Sequence, residues 1–239
     1  MKTEGRNAVV ELLKTGKNID KIMLEKGAQG SAGIIFAEAR KKNIRVQFVD
    51  KQVLDKESET RRHQGVIAYT TDYEYYDLDD IIAEKKSEKG GFIVLCDGIE
   101  DVHNLGSIIR VSECAGADGV VIPKSGSASV TESVIRISAG AAEHMKVAKV
   151  PNLNTAVETL QKNGYWVYAL EAGGEEIYQE NFSGNVALVV GGEDSGVKRL
   201  TKEKCDKVLS IPLQGKVNSL NASVALGIAA YEVVRFRLK

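Results

Sequence analysis

Five strand-length runs limit what this chain can fold into more than any other feature: Phe92–Cys96, Gly119–Ile122, Tyr165–Ala169, Val186–Val190 and Lys207–Ile211. They are largely continuous in apolar character, without the alternation of a sheet that shows one face to water, so both of their faces must be covered. Helical stretches separate them. That order predicts an α/β domain with a mostly parallel sheet and helices on both faces, beginning near Gly91. With 239 residues, 43% of them hydrophobic, the chain can hold one large core or two smaller ones.

Ahead of this domain the pattern is different. Ala8–Lys14 reads as a helix ended by Gly16, Lys21–Leu24 as a strand, and Ser31–Lys42 as a helix capped by Ser31, with strands at Arg45–Val49 and Gly65–Thr70. This is a small α/β unit over residues 1–72. Residues 73–90 read as a linker holding a short helix around Leu78–Ala83. Tyr75 and Tyr76 in it suit either base stacking or packing onto the next domain.

The net charge of -1 conceals an asymmetry: residues 1–72 carry 14 Lys and Arg against 10 acids, an excess of +4. Basic residues gather in the turn Arg61-Arg62-His63-Gln64-Gly65, which suits contact with an RNA backbone or simply a solvated charged turn. The three cysteines, Cys96, Cys114 and Cys205, are far apart and set in apolar or helical patterns, so neither disulfides nor a metal site is expected. The first residues lack an apolar signal core and no run reaches membrane-spanning length. A cytoplasmic protein with no membrane partner is the expectation.

Polar loops follow three of the buried strands. The first, Asp97–Gly106, leads into a helix, with Asn104 near its start as either cap or ligand donor and Arg110 two turns in; His103 suits solvent better than catalysis. The second, Gly191-Gly-Glu193-Asp-Ser-Gly196, has glycines that let a ligand approach the backbone and acids that disfavour phosphate. It fits an uncharged or cationic ligand. The third, Ile211–Asn221, places Ser219 where a helix cap belongs, and the helix that follows repeats Leu220, Val224, Ile228, Tyr231 and Val234 at helical spacing, predicting a buried face. Ligand sites of open α/β sheets lie at such strand ends.

Together, Asp101-Val-His-Asn104-Leu-Gly106 with Arg110, Gly191-Gly-Glu193-Asp-Ser-Gly196, and Ile211-Pro-Leu through Ser219-Leu-Asn221-Ala-Ser223 resemble the three signature motifs of the SpoU/TrmH branch of SPOUT RNA methyltransferases. The likeness covers residues 91–239, and the first 72 residues resemble the ribosomal-protein-like RNA-binding domain of the subgroup that methylates a guanosine of 23S rRNA. Val102 stands where the family usually has proline, which removes no functional side chain.

The resemblance implies a trefoil-knotted domain and S-adenosylmethionine as cofactor, held by Gly191, Ile211 and Leu220 with Gly192 and Leu213 nearby. It assigns Arg110 to the ribose 2′-hydroxyl, with Asn104, Glu193, Ser219 and Asn221 arranging substrate and cofactor, and Arg61, Arg62, His63 and Gln64 to RNA contact. It also implies a homodimer. A tRNA substrate and a non-catalytic RNA-binding factor are the competing readings; a nucleotide-dependent enzyme is disfavoured, because neither G-x-G-x-x-G nor G-x-x-x-x-G-K-[ST] occurs in the glycine loop.

Overall fold

The computed structural model describes residues 2–15, 19–42, 44–70, 73–85, 87–193 and 195–238. Gly16, Asp72 and Asp194, read above as a helix stop, a boundary residue and the second acid of the glycine loop, lie outside the described residues. The chain divides into two compact units, Met1–Glu74 and Tyr75–Lys239.

The first unit runs β1 (Lys2–Glu4), α1 (Arg6–Lys14), β2 (Ile19–Glu25), α2 (Ser31–Lys41), β3 (Arg45–Val49), α3 (Lys51–Glu57) and β4 (Val66–Thr70). Its sheet has the order β1-β4-β2-β3, with only β2 and β3 parallel. Alternation in β2 and β4 serves both faces: Ile22, Leu24, Val66 and Ala68 pack with α1 and α2, whereas Met23 and Ile67 pack with Leu54 of α3. Ser31 does not cap α2. The cap position belongs to Gly30, at φ 71°, a conformation glycine adopts without steric cost.

The second unit continues with α4 (Leu78–Ala83), β5 (Phe92–Asp97), α5 (Val102–Cys114), β6 (Gly119–Pro123), α6 (Glu132–Ile137), β7 (Val147–Val150), α7 (Leu153–Lys162), β8 (Tyr165–Glu176), β9 (Asn185–Gly191), α8 (Arg199–Lys204), β10 (Lys207–Ser210) and α9 (Ala222–Leu238). Its six strands, in the order β10-β8-β9-β5-β6-β7, pair in parallel throughout. Every residue of β5 and β6 is buried, as the apolar runs require. Strand β7 has no counterpart among those runs, because Lys149 interrupts a short segment at the sheet edge.

The segment expected to be a linker contributes instead to this core. Ile81 of α4 is fully buried and approaches Gly119 so closely that a Cβ there would lie 2.8 Å from its side chain. The Tyr75 hydroxyl accepts from Val130 N–H at 2.9 Å, and Tyr76 pairs with Ala148 beside β7. Packing holds Tyr75, whereas the Tyr76 ring is 45% exposed with Lys146 Nζ 5.5 Å from its centroid.

Helix α9 buries a different face from the one its apolar spacing predicts. Ala222, Leu226, Ala229, Ala230 and Val233 face the core, while Leu220 is 38%, Val224 50% and Tyr231 52% exposed. Both stripes are apolar, so spacing could not tell which one the single chain covers. The C-terminal end is anchored by Arg237, which donates to the carbonyls of Gly90 (3.0 Å), Gly91 and Gly184 (both 2.9 Å) at the starts of β5 and β9.

Candidate active site

The loops leaving β5, β9 and β10 converge, and a ring of hydrogen bonds among Asn104, Glu193 and Asn221 joins them. In the first, Asp101 caps α5 by accepting from His103 N–H at 3.0 Å. Asn104 is thereby relieved of capping. It lies buried in the first turn and donates through Nδ2 to Glu193 Oε1 at 3.0 Å.

Asn221 completes the ring, donating through Nδ2 to Asn104 Oδ1 at 2.9 Å and to Glu193 Oε1 at 2.6 Å. Its Oδ1 accepts from Ser223 N–H at 3.0 Å and Val224 N–H at 3.3 Å. Asn221 is therefore the cap of α9, the role the sequence reading gives to Ser219. Ser219 stands exposed before the helix and lines the adjacent cavity.

The second loop closes on itself: Gly196 N–H donates to Gly192 O at 2.9 Å. A Cβ on Gly191 would lie 1.9 Å from the Gly196 carbonyl carbon, and one on Gly192 would lie 2.5 Å from Gly98 O. Sequence reasoning assigns these glycines to close approach of a ligand. Their tightest contacts are with the protein's own backbone, and the loop could not close with larger residues.

Beside the ring is a cavity of about 330 Å³, lined by Leu170, Val190, Leu209, Ile211, Leu213 and Leu220 and by Gly191, Gly192 and Ser219, with carboxylates from Glu171 and Glu193. All five residues expected to hold a cofactor meet there. Among the described residues, no Lys, Arg or His lines it. The donor set is apolar walls, free backbone and negative charge, which suits a small, partly apolar ligand carrying positive charge and suits a phosphate poorly.

Two lining or neighbouring groups escaped the sequence reading. Asp97, 2% exposed, ends β5 and accepts from Lys198 N–H at 2.9 Å, with Lys198 Nζ 3.2 Å from its other oxygen; Glu171, in β8, accepts from Val197 N–H at 3.0 Å. A buried acid directly after an apolar run was the available signal for Asp97. Nothing local marks Glu171.

Arg110 is not drawn into the cavity. It is exposed on α5 and makes no hydrogen bond or ion pair with another described residue. His103 is exposed on the same helix, as its polar setting suggests.

In the first unit, the basic turn is built largely for itself. His63 is 5% exposed; its Nε2 lies 2.9 Å from Asp55 Oδ1, and its Nδ1 accepts from Gly65 N–H at 3.0 Å. Gln64, at φ 52°, accepts from Arg6 N–H through Oε1 at 3.1 Å and from Arg6 Nε through its carbonyl at 2.9 Å. His63 is enclosed by these contacts, whereas Gln64 is exposed and shapes the turn through its two oxygens. Arg61 and Arg62 remain exposed. Arg61 shares a cleft of about 570 Å³ with Arg6 and Lys51, which sequence reasoning passed over.

A parallel sheet gathering three polar loops around a cavity with two carboxylates defines an α/β protein with a ligand site at its strand ends, and the other unit bears exposed arginines. The model of the SpoU rRNA methylase family matches residues 91–231, and that for RNA 2′-O ribose methyltransferase substrate binding matches residues 3–76. The chain belongs to the SpoU/TrmH family of RNA methyltransferases. It is 44% identical over 238 residues to YacO of Bacillus subtilis, a TrmH family tRNA/rRNA methyltransferase by name, covering 98% of this chain and 94% of that one. Among solved structures it resembles the SpoU methyltransferase AviRb of Streptomyces viridochromogenes in complex with AdoMet, at a TM-score of 0.64 and 21% identity over 100% of this chain and 90% of that one. An AdoMet-bound rRNA methyltransferase of Sinorhizobium meliloti is similar at 0.62 and 22%, covering 100% and 88%. The TrmH/SpoU tRNA modifying enzyme of A. aeolicus, at 0.58 and 26%, covers 67% of this chain and 82% of its own.

Proposed function

We propose that this chain transfers the methyl group of S-adenosylmethionine to a ribose 2′-hydroxyl, with a guanosine of 23S rRNA as its target. The observation that carries the reading is the Asn104–Glu193–Asn221 ring, which joins three separate loops at the rim of a cavity without cations. Nothing in folding alone requires those three side chains to bond with one another. The match of residues 91–231 to an rRNA methylase model supports ribosomal RNA, as does the shorter overlap with a tRNA-modifying enzyme, and the match of residues 3–76 supports an RNA substrate.

When bound, S-adenosylmethionine supplies an electrophilic methyl group on a cationic sulfur. Gly191, Gly192, Ile211, Leu213 and Leu220 form the walls that would hold it. Glu193 is fixed at the rim by the two asparagine amides, and Ser219, on the cavity wall, would orient the ribose. A guanidinium stays protonated in nearly all settings, so Arg110 serves to stabilise the developing alkoxide and to grip a neighbouring phosphate.

Arg110 lies outside the cavity of its own chain, and the exposed apolar stripe of α9 calls for cover. Both observations support a homodimer in which Arg110 of one subunit completes the site of the other. A trefoil knot closed by the chain after Ile211 belongs to the same reading, as does action in the cytoplasm.

Labelled methyl transfer to 23S rRNA and to tRNA, followed by mapping of the modified ribose, tests the substrate. Label on tRNA alone overturns the ribosomal choice. For the shared site, Arg110→Ala and Glu193→Ala chains are mixed after each is shown inactive. Recovered activity supports sharing, and none at any mixing ratio argues for a site within one chain.

A further inference from the structure

Strand β9 lies between β8 and β5, and each neighbour sends one carboxylate to the segment that leaves it. From β8, Glu171 Oε2 accepts from Val197 N–H at 3.0 Å; from β5, Asp97 Oδ2 accepts from Lys198 N–H at 2.9 Å. Consecutive amides are thus gripped from opposite sides, directly after the turn that carries Glu193. The grip is close: a Cβ on Gly196 would lie 2.3 Å from Glu171 Oε2.

The two carboxylates differ in what else they meet. Asp97 is buried and paired with Lys198 Nζ at 3.2 Å. Glu171 is half-buried and lines the cavity, and among the described residues its carboxylate forms no ion pair and, beyond Val197, accepts only a 3.3 Å contact from Ala172 N–H to Oε1. Glu193, the other acid there, has its Oε1 committed to Asn104 and Asn221. Among the described residues, Glu171 is the carboxylate of the cavity that no side chain engages, whereas Glu193 is held by two.

We propose that Glu171 is a specificity residue of the cofactor cavity, whose charge makes the site prefer the cationic methyl donor to the product with its neutral sulfur, while Asp97 holds the loop from the other side as a positioning residue. This rests on the cofactor assignment made above. The physical reason is that donor and product differ by one positive charge at sulfur. An uncompensated carboxylate in a partly desolvated cavity without cations acts on that difference far more strongly than it would in water. Release of product is eased by the same term.

The test is calorimetric titration of the full chain, without RNA, with S-adenosylmethionine and with S-adenosylhomocysteine. Glu171→Gln keeps an oxygen to accept from Val197 N–H, and Asp97 still holds the loop, so the fold is expected to persist. In the variant, affinity for S-adenosylmethionine should fall about three- to tenfold while that for S-adenosylhomocysteine changes less than about twofold. Equal weakening of both, or no change in either, overturns the proposal. Should the unaltered protein bind neither molecule, the cofactor assignment itself fails, a distinct result. Glu171→Ala, which also removes the anchor for Val197, should weaken both ligands and lower Tm, separating the positioning role from the charge.

Discussion

The basic turn of the first unit and the three-loop ring of the second differ in composition, arginines and a histidine against two asparagines and a glutamate, and in outcome. Both bring polar side chains to one place. In the turn, His63 bonds to Asp55 and Gly65 and Gln64 to Arg6, all within one unit and largely to backbone, so these residues fix a local conformation. In the ring, Asn104 and Asn221 lie 117 positions apart and meet a carboxylate on a third loop, and the ring borders a cavity. The difference teaches that polar density alone does not mark a site. What sets the ring apart is that side chains of three loops bond to one another beside a cavity with apolar walls, whereas the cleft beside the turn is lined by charged and polar groups.

The sharpest way to break this comparison is Arg110→Ala. Methyl transfer should fall by about 10²–10³, while cofactor affinity measured by calorimetry stays within about twofold, because the residue lines no part of the cavity. A large loss of cofactor affinity would place Arg110 in the binding machinery instead. Arg110→Lys keeps the charge without the planar fork; near-normal turnover in it would count against bidentate contact with phosphate.

Gly191→Ala should come next. The new methyl would lie 1.9 Å from backbone, so the loop must shift, at a cost of about 2–4 kcal/mol. Thermal unfolding and cofactor titration should report the damage together.

In the first unit the order of effects reverses. His63→Ala should cost about 1–3 kcal/mol of stability by leaving Gly65 N–H without its acceptor. Arg62→Ala should leave Tm unchanged, weaken RNA binding, and reduce the slope of log affinity against log salt by about 1. If His63→Ala instead weakened RNA binding with Tm intact, the distinction drawn between turn and ring would be lost.

The smallest effect concerns Glu4. Burial raises its carboxyl pKa, but hydrogen bonds from the Thr60 and Ser58 hydroxyls and from Glu59 and Thr60 N–H outweigh that and bring it down to about 2. With the folded value below the ordinary 4.5, its stabilising contribution is present above that pH and is lost as pH falls towards 2. The stability difference between Glu4→Gln and the unaltered chain should therefore shrink across that window in acid unfolding followed by circular dichroism. A difference constant with pH would mean that Glu4 acts by shape and not by charge.

Much of the architecture could be read directly from residue order. Unbroken apolar runs in β5, β6 and β9 leave no face for water, so a parallel sheet covered on both sides follows from the sequence, and each polar loop after such a run had to lie at a strand end. Asn104, Glu193, Ser219 and Asn221 lie in those loops, but it is the resemblance to the SpoU/TrmH motifs that groups the four. Less legible was whatever depended on which of two equivalent options packing selects. Ser219 and Asn221 are both good caps, and only the path of the chain after Leu220 gives the role to Asn221. Segment 73–90 looks like a linker because Ile81 and Ile82 are too few for a pattern, yet Gly119 leaves the space that Ile81 fills.

The sequence by itself determined the layered α/β domain, the smaller basic unit before it, and the polar loops at the domain's strand ends, because these follow from short-range patterns of polarity and from spacing along one strand or helix. Tertiary structure alone decided that α9 shows Val224 and Tyr231 to the outside, that His63 is enclosed, and that Asp97 and Glu171 grip one loop from both sides. Each of these depends on which distant residue arrives as a neighbour. Hydrogen-bond satisfaction and the filling of space are set by such neighbours, and no local pattern encodes them.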